Sequence, residues 1–134
     1  MAVLVVDASV VLELLVGNEG APAIAERLSG EDLHAPHLID VECAHVLRRL
    51  VQAGTLTQSD AQGALDELMI FPLERHSHLD LLPRIWGLRS NLTSYDAAYV
   101  ALAEALDSPL VTLDGKLGRA PGNDALIEVI SRGG

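Results

Sequence analysis

Asp7, Glu42, Asp96 and Asp114 are the residues of this chain best placed to do chemistry together. Asp7 ends one apolar run, Asp114 follows another, and Glu42 and Asp96 fall in the opening turns of helical stretches. In an open α/β sheet such positions meet beyond the carboxyl ends of the strands. Carboxylates gathered at one point repel, and protonation or a divalent cation relieves the repulsion. Hard oxygen ligands suit Mg²⁺ or Mn²⁺, which bind through one or two carboxylates, waters and substrate phosphate. A site of that kind activates water and stabilises charge at a phosphoryl group. Each acid also has a plainer reading. Asp7 and Asp114 can cap helices, Asp96 can pair with Thr93 in a capping box, and Glu42 can be a solvated helix residue.

The elements that must hold these acids follow from hydrophobic periodicity. Ala2–Val6 is a continuous apolar run and predicts a buried strand. Ser9–Val16 predicts a helix closed by Gly17, and Ala21–Leu28 a second closed near Gly30. His34–Pro36 reads as a short strand and Leu38–Ala53 as a long helix. Thr57 caps a helix running to Phe71, with Asp60 in its first turn. Pro72–Glu74 is a short strand, and Leu79–Arg89 a helix with Pro83 near its start. Thr93 or Ser94 caps Tyr95–Leu106, and Pro109–Leu113 is a strand. Asp114 opens a helical turn through Leu117, and Leu126–Ile130 is a last strand. This alternation predicts the α/β class, with a mostly parallel central sheet of about four to five strands flanked by helices on both faces. With no repeat or linker, residues 1–134 are expected to form a single domain. The first helix is apolar nearly all round, so Glu13 is expected to be its one exposed side chain. Ile24 and Leu28, or Leu65 and Leu68, are expected to add a surplus apolar face that grooves a partner segment.

Composition narrows the functions. With 19 Asp+Glu against 9 Lys+Arg and a net charge of -10, the chain is a poor candidate for coating nucleic acid indiscriminately, since that needs a basic face. The lone Cys43 forms no internal disulfide, and there is no C-x-x-C. No stretch reaches the roughly 18 apolar residues of a membrane span, so a cytoplasmic protein without a membrane partner is expected. His34, His37, His76 and His78 lack H-E-x-x-H spacing and cysteine partners, so no zinc site is expected. A haloacid-dehalogenase-type phosphatase would need a second Asp two residues after Asp7, where Ser9 stands. Gly115-Lys116 is no phosphate-binding P-loop, and no G-x-S-x-G is present.

VVDASVVLELL, PHLIDVECAHVLRRL, SYDAAYVALAEAL and PLVTLDGKL, in that order, resemble the successive motifs of PIN-domain ribonucleases, and most of all the VapC-type toxins of type II toxin–antitoxin pairs. The resemblance runs from Val3 to about Leu117. It implies a PIN-like fold and maps the family's metal-binding, catalytic acids to Asp7, Glu42, Asp96 and Asp114, the last at the family's more variable position. Ser9 and Thr112 match small polar positions beside the metal. His45 stands where many relatives carry Asn, one turn along from Glu42, and Arg49 lies seven residues from Glu42 on the same helix face as a contact for RNA phosphate or antitoxin. The implied activity is Mg²⁺- or Mn²⁺-dependent endonucleolytic cleavage of structured RNA, tRNA or rRNA, by metal-activated water. The implied partners are a cognate antitoxin and a second copy in a homodimer, with DNA reached only through the antitoxin. The alternative is a non-catalytic PIN-like interaction protein that binds an antitoxin and modulates operator binding.

Overall fold

A computed structural model describes residues 1–131. The apolar run at the amino terminus forms β1 (Val3–Val6), whose Leu4, Val5 and Val6 are buried on both faces, as a central parallel strand requires. Asp7 caps α1 (Ala8–Val16), and Gly17 closes it at φ 80, a left-handed conformation that glycine adopts without a Cβ penalty. Then follow α2 (Ala21–Leu28), β2 (Asp32–Pro36), α3 (Leu38–Gln52), α4 (Gln58–Ile70) and β3 (Leu73–His76). A 3₁₀ turn (Leu79–Leu81), α5 (Leu82–Gly87), α6 (Ser94–Ala105), β4 (Leu110–Thr112), α7 (Gly115–Gly118) and β5 (Ile127–Val129) complete the described chain.

The five strands form one sheet in the order β3-β2-β1-β4-β5, and every pair is parallel. Right-handed crossovers carry β1 to β2 to β3 in one direction, which places α1–α4 on one face. The chain then returns past β2 and β1 to β4 in the opposite direction, which places α5–α7 on the other. Helix contacts divide the same way, with α1 packed on α2, α3 and α4, and α5 packed on α6. The direction reverses between β1 and β4, so their carboxyl ends splay open into a crevice. Asp7 leaves β1 and Thr112 ends β4 at that crevice.

Three expectations are corrected. Glu13 is buried, at 4% exposure, while Leu14, Leu15 and Val16 are half-buried. Its carboxylate turns inward to accept from the Gly20 N–H at 3.0 Å and from Asn18 Nδ2 at 3.5 Å. A Cβ at Gly20 would stand 2.9 Å from Glu13 Oε2, so the α1–α2 turn closes around that glycine. Leu79–Arg89 is two pieces rather than one helix, because Pro83 has no N–H to bond the Leu79 carbonyl. Finally, Ile24 and Leu28 are core residues and line no groove among the described residues, whereas Leu65, half-buried, and Leu68 line one of about 370 Å³ with Asp40, Met69 and Arg75. Exposed large apolar side chains also lie elsewhere, among them Val41, Leu79, Trp86 and Tyr95. No single helix among the described residues is long and apolar enough to cross a membrane.

Candidate functional site

Asp7 anchors the crevice. It is 8% exposed and accepts from the Val10 N–H at 3.2 Å, from Ser9 Oγ at 2.6 Å and from Thr112 Oγ1 at 2.5 Å. Ser9 Oγ in turn accepts from the Leu113 N–H at 3.2 Å, and Thr112 Oγ1 from the Asp114 N–H at 3.0 Å. The carboxyl end of β4 is thereby tied to the start of α1 through the Asp7 carboxylate. Ser9 and Thr112 are therefore direct neighbours of the Asp7 carboxylate.

Asp96 enters from the first turn of α6, where Thr93 caps the helix and its Oγ1 accepts the Asp96 N–H at 3.1 Å. Seven consecutive residues of α6, Ala97–Ala103, are buried, and four of them are alanine, so the helix can lie close against the sheet. Glu42 projects from the second turn of α3 and is half-buried. Its Oε1 accepts from Tyr99 Oη at 2.5 Å. Tyr99 was not singled out from the sequence. It lies three residues after Asp96 on α6 and is the largest fully buried side chain among the described residues, and that polar tip on a small-residue helix was the available signal.

The electrostatics bind the acids into one group. Burial pushes the Asp7 carboxyl above its ordinary value, and hydrogen bonds from Ser9, Thr112 and Val10 offset this only in part, while the Asp96 charge adds to it. Burial also raises Glu42, against the lowering bond from Tyr99, and Asp96 and Asp7 raise it further. Burial and then Asp114 raise Asp96, which Thr93 partly opposes. The charges acting on these three acids are all carboxylates, with Asp96 touching the other three electrostatically. Tyr99 is itself raised by burial and by Glu42, which keeps it a donor. Asp114 stands at the exposed rim, capping α7 through the Lys116 N–H at 2.9 Å.

A groove of about 460 Å³ runs from Glu42 along α3, lined by Ala8, Val41, His45, Val46, Arg49 and Tyr95. His45 and Arg49 are exposed on its wall. Three other arginines are held in carboxylate pairs: Arg27 with Glu128, Arg75 with Asp40 and Arg84 with Glu104. Among the described residues, the ligand-type side chains whose donor atoms all lie within 4.8 Å of one another are His34, Glu74 and His76, not the acids. Spacing along the chain did not pair the histidines. The parallel register of β2 and β3, with His34 beside Glu74 and Pro36 beside His76, brings them together.

A family model described as PIN domain matches residues 4–123. Ribonuclease VapC1 of Mycobacterium tuberculosis is 41% identical over 128 residues, covering 94% of this chain and 96% of that protein. Among solved structures, VapBC2 from Rickettsia felis, bound to a DNA fragment from their promoter, aligns with a TM-score of 0.70 at 14% identity over 96% of this chain and 99% of that one. Mycobacterium tuberculosis VapC20, a sarcin–ricin loop cleaving toxin, aligns with a TM-score of 0.65 at 16% identity over 87% of this chain and 93% of that one.

Proposed function

Because the chain belongs to the PIN-domain family, among its VapC ribonucleases, we propose that it is a divalent-metal-dependent endoribonuclease toxin acting at the β1–β4 crevice. The observation that carries this reading is the meeting of Asp7 from the end of β1, Glu42 from α3 and Asp96 from the start of α6 at one crevice, each raised by burial and by a neighbouring carboxylate. An all-oxygen donor set under such repulsion fits Mg²⁺ or Mn²⁺. Asp7, Glu42 and Asp96 would hold the ion, with Asp114 at the rim. When bound, it supplies Lewis acidity at a phosphoryl oxygen and activation of water.

The protein's own groups do the rest. Ser9 and Thr112 fix both oxygens of Asp7, and Tyr99 fixes one oxygen of Glu42, leaving its other free for a ligand. His45 and Arg49 flank the groove and would meet RNA backbone, with Tyr95 offering an exposed ring for a base. A few local phosphate contacts of this kind suit a chain of net charge -10. Structured RNA, tRNA or rRNA, is the substrate class we infer. A cognate antitoxin covering the groove, a homodimer, DNA reached only through the antitoxin and a cytoplasmic setting complete the reading.

The test is cleavage of total bacterial RNA by the purified protein with Mn²⁺, mapped by new 5′ ends. Cleavage that survives EDTA unchanged would refute the proposal. The three raised acids add a pH signature. A carboxyl raised in the folded state contributes stability that is present below its ordinary value of about 4 and lost as pH rises through the raised value. The rise in thermal midpoint on adding Mn²⁺ is therefore expected to be larger at pH 7 than at pH 5. Tyr99→Phe keeps the ring and removes the donor to Glu42. It is expected to weaken Mn²⁺ binding by roughly 10–100-fold, the scale seen when a ligand loses its supporting hydrogen bond. Calorimetric titration with Mn²⁺ alone checks this, and an unchanged affinity would remove Tyr99 from the site.

A further inference from the structure

A second cluster of ligand-type side chains lies on the outer pair of strands, β2 and β3, away from the acids. His34 Nδ1 is 2.7 Å from His76 Nε2 and 3.6 Å from Glu74 Oε2. We propose that His34, His76 and Glu74 form a site for a borderline transition-metal cation of the Zn²⁺ class, distinct from the acid site and independent of the function assigned to it.

The geometry points to that class of ion. With Zn–N bonds of about 2.0–2.1 Å, tetrahedral ligand atoms stand roughly 3.3 Å apart, and the two observed spacings straddle that separation. Imidazole nitrogen suits Zn²⁺, Cu²⁺ and Ni²⁺, whereas Mg²⁺ and Ca²⁺ take oxygen. A fourth feature strengthens the set. His34 is 6% exposed, and its Nε2 is buried without a hydrogen bond although Asp32 Oδ2 lies 2.9 Å away, off the hydrogen-bond line. A cation on Nδ1 holds the proton on Nε2, where a small turn of the ring aims it at Asp32. That is the carboxylate–histidine–metal arrangement that orients metal-binding imidazoles elsewhere. His34 is locked in the core while Glu74 is open to solvent, so the site has one fixed ligand and an accessible entry. Binding would cross-link the edge strand β3 to β2.

The experiment titrates the metal-stripped full chain with Zn²⁺ alone by calorimetry, and with Co²⁺ by visible absorption. In the Asp96→Asn background, which removes a ligand from the acid site, the chain is expected to bind one Zn²⁺ equivalent and to give tetrahedral Co²⁺ bands. In that background His76→Ala and Glu74→Gln are expected to weaken that equivalent at least tenfold and to lose the bands, and Zn²⁺ is expected to raise the thermal midpoint of Asp96→Asn but not of Asp96→Asn combined with His76→Ala. Glu74→Gln alters only an exposed side chain, so it reports on the site even if His76→Ala perturbs folding. If neither variant differs from Asp96→Asn alone, or if Asp96→Asn binds no Zn²⁺, the proposal is overturned.

Discussion

Asp96→Asn is expected to abolish RNA cleavage and, in the same protein, to raise the thermal midpoint measured in EDTA. The two effects share a cause. Asp96 is the acid whose charge acts on Asp7 and Glu42 and is acted on by Asp114, so it is the hub of the repulsion that a cation must offset. An amide of the same shape removes that charge, and with it a ligand. The Asp96 N–H still reaches Thr93 Oγ1, so the cap of α6 survives. Loss of one preorganised electrostatic contact commonly costs about 10²–10³ in rate, and loss of a metal ligand should cost no less. Relief of repulsion of order 1 kcal/mol moves the midpoint of a chain this size by a few degrees. Cleavage by the variant at the parent's rate, or a lower midpoint in EDTA, would contradict the assignment.

Asp7→Ala and Asp7→Asn are expected to be equally inactive but very different in stability. The alanine variant removes the cap of α1, a loss of about 1 kcal/mol. It also leaves the buried Thr112 hydroxyl without its acceptor, which costs about 1–3 kcal/mol. Together these give roughly 2–4 kcal/mol. Asparagine keeps the cap and the Ser9 bond through Oδ1, can donate from Nδ2 to Thr112 Oγ1, and removes a buried charge that its surroundings penalise, so Asp7→Asn should be clearly more stable than Asp7→Ala. Urea unfolding of the two variants checks the difference, and a gap below about 0.5 kcal/mol would mean that Asp7 is not the tie between α1 and β4.

Much of this molecule is legible locally. Thr57, Thr93 and Asp114 cap the helices their side chains suggest, Gly17 closes α1, and the apolar run before Asp7 is a central strand. These features depend on a residue and its near neighbours. What resists reading depends on partners distant in sequence. Glu13 looks like the solvated residue of an apolar helix, yet it is buried because the turn to α2 presents the Gly20 N–H to it. Tyr99 and Glu42 are 57 residues apart, and His34 and His76 are 42 apart. Neither pair leaves a trace in periodicity, because strand order and helix placement bring each together. Leu28 and Leu68 could not be assigned to core or surface from their helices alone, since both helices are amphipathic and the question is what covers the apolar side. Asp7, Asp96 and Asp114 sit at element boundaries, where sequence patterns are sharpest, while Glu42 lies one turn inside α3.

The bond from Thr112 to Asp7 spans 105 residues, and β1 waits for β4 as its second neighbour in the sheet. At synthesis rates of about 5–20 residues per second, roughly 5–20 s separate the translation of those two residues. During that interval the nascent chain has its first aspartate but no crevice to hold it. A nuclease emerging from the ribosome is surrounded by RNA, and this topology postpones its competence until both strands that form the crevice have been made.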